Sequence, residues 1–145
     1  MKIRDVLKEK GHEVVTVPPS LPLRDALKLL VEHNIGSVVV TEDKAVKGIL
    51  TERDVLRLAA GDRDGTMGSR KVEEIMTRDV MVGLMDDTVD YVMEIMTRNR
   101  IRHLPILDDG WMQGILSIGD VVNAVRKKVE AENRYMRDYI QGKYF

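Results

Sequence analysis

Apolar and polar positions along this chain run through one order twice. Val14-Val15-Thr16-Val17 is a short, largely β-branched run closed by Pro18-Pro19, which predicts a strand over 14–17. Leu23, Ala26, Leu27 and Leu30 then recur at helical spacing, and the helix they predict ends near Asn34 to Gly36. Ser37 to Thr41 reads as a buried strand, Glu42-Asp43-Lys44 as a hairpin turn, and Lys47 to Leu50 as the return strand. A second helix follows from about Glu52 to Ala60, before Gly61. The order then returns: a strand over 80–83, a helix carrying Val89, Val92, Met93 and Met96, and a strand over 103–107. A turn at Asp108-Asp109-Gly110, a strand over 112–116 and a helix from Ile118 complete it.

A slide of 66 residues superposes the two passes. Gly48-Ile49-Leu50-Thr51-Glu52-Arg53-Asp54-Val55 then lies over Gly114-Ile115-Leu116-Ser117-Ile118-Gly119-Asp120-Val121, Val14 over Val80 and Ile35 over Ile101. Identities are few, but apolar positions mostly meet apolar positions, as in two copies of one supersecondary unit. Upstream, Ile3-Arg4-Asp5-Val6-Leu7 matches Val72-Glu73-Glu74-Ile75-Met76 at a shift of 69, so the first copy carries three extra residues near Lys10-Gly11. The unit is β-α-β-β-α, and the fold class is α+β. The expected division is repeat one over 1–60, a linker over 61–71, repeat two over 72–126 and a helical tail over 127–145. Units of about 60 residues are marginal alone. The sheets are therefore expected to dock face to face around one shared core, with pseudo-two-fold symmetry and a pair of clefts between the copies as ligand sites.

Composition narrows the classes. The 145 residues suit one globular unit, with 43% hydrophobic and 32% charged residues. A net charge of -1 argues against binding duplex nucleic acid through global charge. The longest run without a polar side chain is six residues, Val80 to Met85, where a membrane helix needs about 20. Met1 to Lys8 lacks the apolar core of a secretory signal, so the expected location is the cytoplasm. With no cysteine there is no disulfide, thiol nucleophile or Cys-ligated zinc. His12, His33 and His103 make no metal-binding pair, and Asp62-Arg63-Asp64-Gly65 lacks the later ligands of a calcium loop. No P-loop, dinucleotide fingerprint or nucleophile elbow is present. The expectation is a protein that is not an enzyme and requires no metal or cofactor. Met76, Met81, Met93 and Met96 read as core filler, with Met81 also placed to touch a base.

The candidate chemistry sits at the strand-to-helix junction, where Gly-x-x-Thr/Ser-x-x-Asp occurs in both copies. Thr51 with Asp54, and Ser117 with Asp120, fit a capping box that merely starts a helix. The same geometry offers free amides to a phosphate and a carboxylate to the hydroxyls of a ribose. Gly48 and Gly114 would let such a ligand approach the backbone.

This duplicated unit, with Gly48 to Asp54, Gly114 to Asp120 and the strand entry Ile101-Arg102-His103-Leu104-Pro105-Ile106, resembles a tandem pair of cystathionine-β-synthase (CBS) domains over about residues 1–126. The resemblance implies a stand-alone regulatory sensor that binds AMP or ADP, alternatively ATP or S-adenosylmethionine, between the repeats, commonly as a homodimer acting on a regulated partner. It implies a first site of Thr51 and Asp54 with Val80, Met81 and Val82 beside the base and Ile101, Arg102 and His103 near the phosphate. It implies a second site of Ser117 and Asp120 with Val15, Thr16 and Val17, then Ile35, Gly36 and Ser37. Arg102-His103 faces the first cleft while Gly36-Ser37 occupies the equivalent place in the second, so unequal sites are expected, the first holding nucleotide more tightly. Arg98 and Arg100 suit a helix C-terminus, and strand alternation can turn Arg102 and His103 to opposite faces.

The tail stands apart. Ile118, Val121, Val122, Val125 and Val129 form an apolar stripe that Tyr135, Met136, Tyr139 and Ile140 extend, and four of the six aromatics (Tyr135, Tyr139, Tyr144, Phe145) fall in it. Docking against a second copy is expected. The alternative function is a nucleic-acid-associated or scaffold module using the basic 98–103 cluster or the aromatic tail.

Overall fold

The structure, a computed structural model, describes residues 1–142. Tyr144 and Phe145 of the tail lie outside the described residues. The first repeat comprises helix α1 (Ile3–Lys10), strand β1 (Thr16–Val17), helix α2 (Leu23–His33), strands β2 (Ser37–Glu42) and β3 (Ala45–Thr51), and helix α3 (Glu52–Gly61). A 3-10 turn at Met67–Ser69 crosses the linker and another at Val72–Glu74 opens the second repeat. Strand β4 (Gly83–Leu84), helix α4 (Val89–Asn99), strands β5 (His103–Asp108) and β6 (Trp111–Ser117), and helix α5 (Ile118–Ile140) follow. The result is a mixed α+β fold with two three-stranded sheets, ordered β1-β2-β3 and β4-β5-β6.

The sheets repeat each other in register. In each, the first pair is parallel and the second antiparallel, with Ser37 opposite Thr51 and His103 opposite Ser117. Both hairpins turn through two residues of positive φ, Asp43-Lys44 and Asp109-Gly110, as two-residue hairpins require. The expected strand over 80–83 is displaced, because only Gly83 and Leu84 pair with β5. Strand β1 likewise covers only Thr16–Val17 of its expected 14–17, and β4 begins one residue later than that; the physical reason for the further delay is Pro105. In repeat one the Val39 amide donates to the Val15 carbonyl, whereas its counterpart Pro105 has no N–H to donate to Met81. Met81 is 38% and Val82 42% exposed, so Met81 is not core filler, while Met76 and Met96 are buried and Met93 packs against the second core.

One shared core was the expectation, and two form instead, each completed by the other repeat's leading segment. Val17, Leu23, Ala26, Leu30, Val38, Val40 and Leu50 pack with Val72 and Met76 from beyond the linker. Val89, Val92, Met96, Leu104, Ile106, Leu116, Val121 and Ala124 pack with Ile3, Val6 and Leu7 of α1. The glycines of the repeated motif make this exchange possible. A β-carbon on Gly48 would lie 2.6 Å from the Met76 sulfur, and one on Gly114 would lie 2.8 Å from a Leu7 methyl. The close approach these glycines allow is thus filled by the crossing segments rather than left for a ligand. Val39 and Ile49, paired on the β2–β3 face opposite the first core, are also buried. The hairpins of the two repeats approach each other, with Lys44 of one 5.7 Å from the Trp111 ring of the other.

Helix α5 runs unbroken for 23 residues. The apolar stripe divides: Val121 enters the core beside Ala124, and Ile118 and Val125 pack against it, while Val122 and Val129 are exposed with Tyr135, Met136, Tyr139 and Ile140. Among the described residues no helix is long and apolar enough to cross a membrane.

Candidate functional site

Both capping boxes form. Thr51 Oγ1 accepts from the Asp54 amide at 3.4 Å, and Asp54 Oδ2 accepts from the Thr51 amide at 3.0 Å. In the second repeat the Ser117 amide donates to Asp120 Oδ2 at 2.8 Å, and the Asp120 amide to Ser117 Oγ at 3.2 Å. Capping does not exhaust either carboxylate, because each is met by the leading segment of the opposite repeat. Asp54 Oδ1 accepts from the Thr77 hydroxyl at 3.1 Å. Asp120 Oδ2 accepts from the Lys10 ammonium at 2.6 Å. The partner is therefore neutral on one side and cationic on the other.

On the first side a cleft of about 430 Å³ opens beside Thr51 and Asp54. That volume lies within the range of small-ligand sites, about 300–1,000 Å³. Strand β3 contributes Ile49, α3 contributes Glu52, Arg53, Leu56 and Arg57, and the second repeat contributes Thr77 and the run Arg100 to His103. Thr51, Asp54, Ile101, Arg102 and His103 thus line one cleft. Val80, Met81 and Val82 are not part of this lining; they sit in the unpaired stretch before β4.

Four arginines, Arg53, Arg57, Arg100 and Arg102, line this cleft, and among the described residues none of them forms an ion pair or side-chain hydrogen bond. Unpaired like charges around one opening create a positive field that an anion relieves. Arg53 and Arg57 escaped the sequence reading, although their i,i+4 spacing on the helix that Asp54 starts places them on one side of it. Arg98 pairs with Glu94 on the α4 surface, as a helix-end cation does, whereas Arg100 turns to the cleft. Arg102 and His103 do not part to opposite faces: both line this cleft and the adjoining recess. Strand alternation has not begun there, because β5 starts only at His103.

The second predicted site is divided. Ser117, Ile35 and Gly36 line a central recess of about 280 Å³ together with Arg102 and His103. Asp120 instead opens onto a groove between α1 and α5, beside Lys10, Asn123 and Lys127. Val17 is in the first core with Val15 packed against it, Thr16 is exposed, and Ser37 is buried at the start of β2. Burial works to raise the Asp120 pKa, but the Lys10 hydrogen bond, the Ser117 amide and the charge of Lys10 outweigh it. The carboxyl titrates below the ordinary aspartate value.

His103 stands between the two sides. A β-carbon on Gly36 would lie 3.0 Å from its Nε2, so the absent side chain at 36 makes room for the ring. Burial pushes the imidazole pKa down; the charges of Glu52 and Asp120 oppose this, and those of Lys10 and Arg102 reinforce it. An unfolded chain takes up this proton near pH 6.5, and the folded protein only at lower pH. Stability from this group is therefore whole above pH 6.5 and falls as pH drops through the interval down to the folded value. Urea midpoints measured between pH 7.5 and 5.5 should decline on acidification, and His103→Gln should flatten that decline. An equal slope in both proteins would remove His103 as the cause.

Known proteins share this fold. The CBS-domain family model matches residues 3–61 and 72–127. The mitochondrial CBS domain-containing protein CBSX3 of Arabidopsis thaliana is 38% identical across 98% of this chain and 73% of its own length. The crystal structure of the CBS-domain protein ATU1752 from Agrobacterium tumefaciens is 42% identical, with a TM-score of 0.82 over 86% of this chain and 98% of that one. The CBS pair of MJ0100, solved with 5′-methylthioadenosine and S-adenosyl-L-methionine, is 26% identical, with a TM-score of 0.77 over 88% of this chain and 98% of that one. PAE2072 from Pyrobaculum aerophilum, solved with AMP, is also 26% identical, with a TM-score of 0.73 over 83% and 89%. With two matched domains spanning both repeats, this chain belongs to the CBS-domain family and carries a tandem pair.

Proposed function

We propose that this protein is a regulatory module that takes an adenine nucleotide, AMP or ADP, in the first cleft and signals occupancy to a partner protein. The observation that carries the reading is the convergence of Asp54 with four unpaired arginines on one open cleft. A carboxylate at a helix start suits the two hydroxyls of a ribose, and guanidinium groups suit phosphate oxygens. Structural neighbours hold AMP in one case and a methylthioadenosine and S-adenosylmethionine pair in another, so an adenosine-bearing ligand is within the family's range. The arginines separate these ligands. S-adenosylmethionine carries a sulfonium cation, which the positive cleft disfavours, whereas each phosphate is an anion it attracts. Because the cleft draws residues from both repeats, a bound ligand would bias their relative position, which is how occupancy becomes a signal.

Calorimetric titration tests this. ADP and AMP should give saturable heat and S-adenosylmethionine should bind more weakly. At about 100 times Kd the nucleotide should add about 2.7 kcal/mol of stability. Asp54→Ala should weaken ADP binding at least about tenfold, because hydrogen bonds to a charged group contribute about 1.5–3 kcal/mol. No heat from any of these ligands would retire the reading. Binding of RNA that falls steeply with salt and ignores Asp54→Ala would favour a nucleic-acid module instead. Leu56, 70% exposed on α3, and its repeat mate Val122, 50% exposed on α5, support pairing with a second copy. Sedimentation of the same samples should return twice the chain mass; a monomer at all concentrations would end that part of the reading.

A further inference from the structure

Lys10 ends α1, and its ammonium both donates to the Ile115 carbonyl and pairs with Asp120. The two side chains are 33% and 25% exposed, and no other ion pair among the described residues has both members so covered. Lys10 is not a loose surface cation. Leu7, one turn back, is buried against Gly114, and His12, two residues on, hydrogen-bonds through Nδ1 to the Gln113 carbonyl at 2.8 Å. The segment is thus fastened to β6 on both sides of the lysine.

The first repeat lacks this device. Asp54 receives the Thr51 amide and the hydroxyls of Thr51 and Thr77, all neutral. The difference follows from chain length. After Leu7 the helix runs on to Lys10, whereas the matching segment is only a 3-10 turn at Val72–Glu74 and passes Asp54 at Thr77. The three extra residues of the first copy lie where the longer helix ends.

We propose that Lys10 is the built-in occupant of the Asp120 side of the divided second site: its ammonium takes the place beside Asp120 that a ribose would need, so each chain carries one nucleotide site instead of two. This rests on the nucleotide reading of the first cleft. A ribose offers two neutral hydroxyls in exchange for a charge-assisted bond of roughly twice the strength. It must also displace a tethered competitor, whose effective concentration is on the order of millimolar or higher. Lys10 is in this sense a specificity-determining residue, admitting ligand to one of two pseudo-equivalent carboxylates.

Titration with ADP, on variants first shown by circular dichroism to be folded, decides it. Wild type should bind one equivalent per chain, and Lys10→Met, which keeps the aliphatic stem, should bind two. Lys10→Gln serves as a second variant should the methionine perturb folding. In Lys10→Met with Asp54→Ala, one equivalent should remain, and adding Asp120→Ala should remove it. Two equivalents in wild type, or one in Lys10→Met that Asp54→Ala abolishes, would overturn the proposal while leaving the first-cleft reading intact. One equivalent gained only on removing Lys10, with none in wild type, would support Lys10 as occupant and retire the first cleft. Absence of binding in every variant would overturn both.

Discussion

Leu7→Ala should cost about 2–5 kcal/mol and open the second repeat, although Leu7 precedes the first repeat's sheet. Its side chain is fully buried and packs in the core built by α4, β5, β6 and α5. Neighbours cannot readily fill the space it leaves, because Gly114, directly beneath, has no side chain to move. The loss is a large share of a typical domain's 5–15 kcal/mol. The chain's one tryptophan, Trp111, lies on β6 and reports on that repeat. Urea denaturation followed by Trp111 fluorescence should therefore show a lowered midpoint. Val72→Ala, in the first core, supplies the comparison: it should weaken the first repeat, read by circular dichroism, with the Trp111 signal following later or together. A Leu7→Ala cost below about 1 kcal/mol would mean that α1 merely rests on the second repeat.

The same exchange marks where the sequence stops being legible. The order of elements, the hairpin turns and the junction carrying Thr51, Asp54, Ser117 and Asp120 all follow from local pattern, because turn chemistry and strand alternation act over a few residues. Which core receives Ile3, Val6 and Leu7 does not. Their spacing is the same whether α1 folds onto its own repeat or the other, and only long-range packing against Gly114 decides. The late start of β4 could have been read from Pro105, whose missing amide has a fixed consequence once the repeats are aligned. Lys10 could not, since a lysine in a last helical turn ordinarily offsets the helix dipole and needs no carboxylate. The unequal clefts were expected from Arg102-His103 against Gly36-Ser37, yet the larger asymmetry lies in what meets the two aspartates: a hydroxyl from Thr77 and an ammonium from Lys10.

Arg100→Asn should raise stability and lower nucleotide affinity at once. Helix α4 ends with Arg100 at φ 54° and ψ 41°, its amide donating to the Met96 and Thr97 carbonyls. Helix α2 ends the same way with Asn34 at φ 51° and ψ 50°. Asparagine tolerates this left-handed cap, whereas a long side chain there carries strain of about 1–2 kcal/mol. One repeat uses the residue that suits the cap and the other does not, and the misfit side chain is one of the four cations around the first cleft. Strain of this kind clusters at functional positions, and here it is kept at a cleft-lining one. Copying the first repeat's solution into the second should therefore add about 1 kcal/mol, raising Tm by about 2–4 °C. On the proposed nucleotide reading, removing one of the cleft's four guanidiniums should meanwhile weaken ADP binding about 10- to 150-fold. Arg98→Asn is the control, because that cation pairs with Glu94 away from the cleft and should leave ADP affinity unchanged. A variant at position 100 that is less stable would refute the strain. One that binds ADP as wild type does would take Arg100 out of the proposed site, and with it part of the charge on which the proposed preference for phosphate rests.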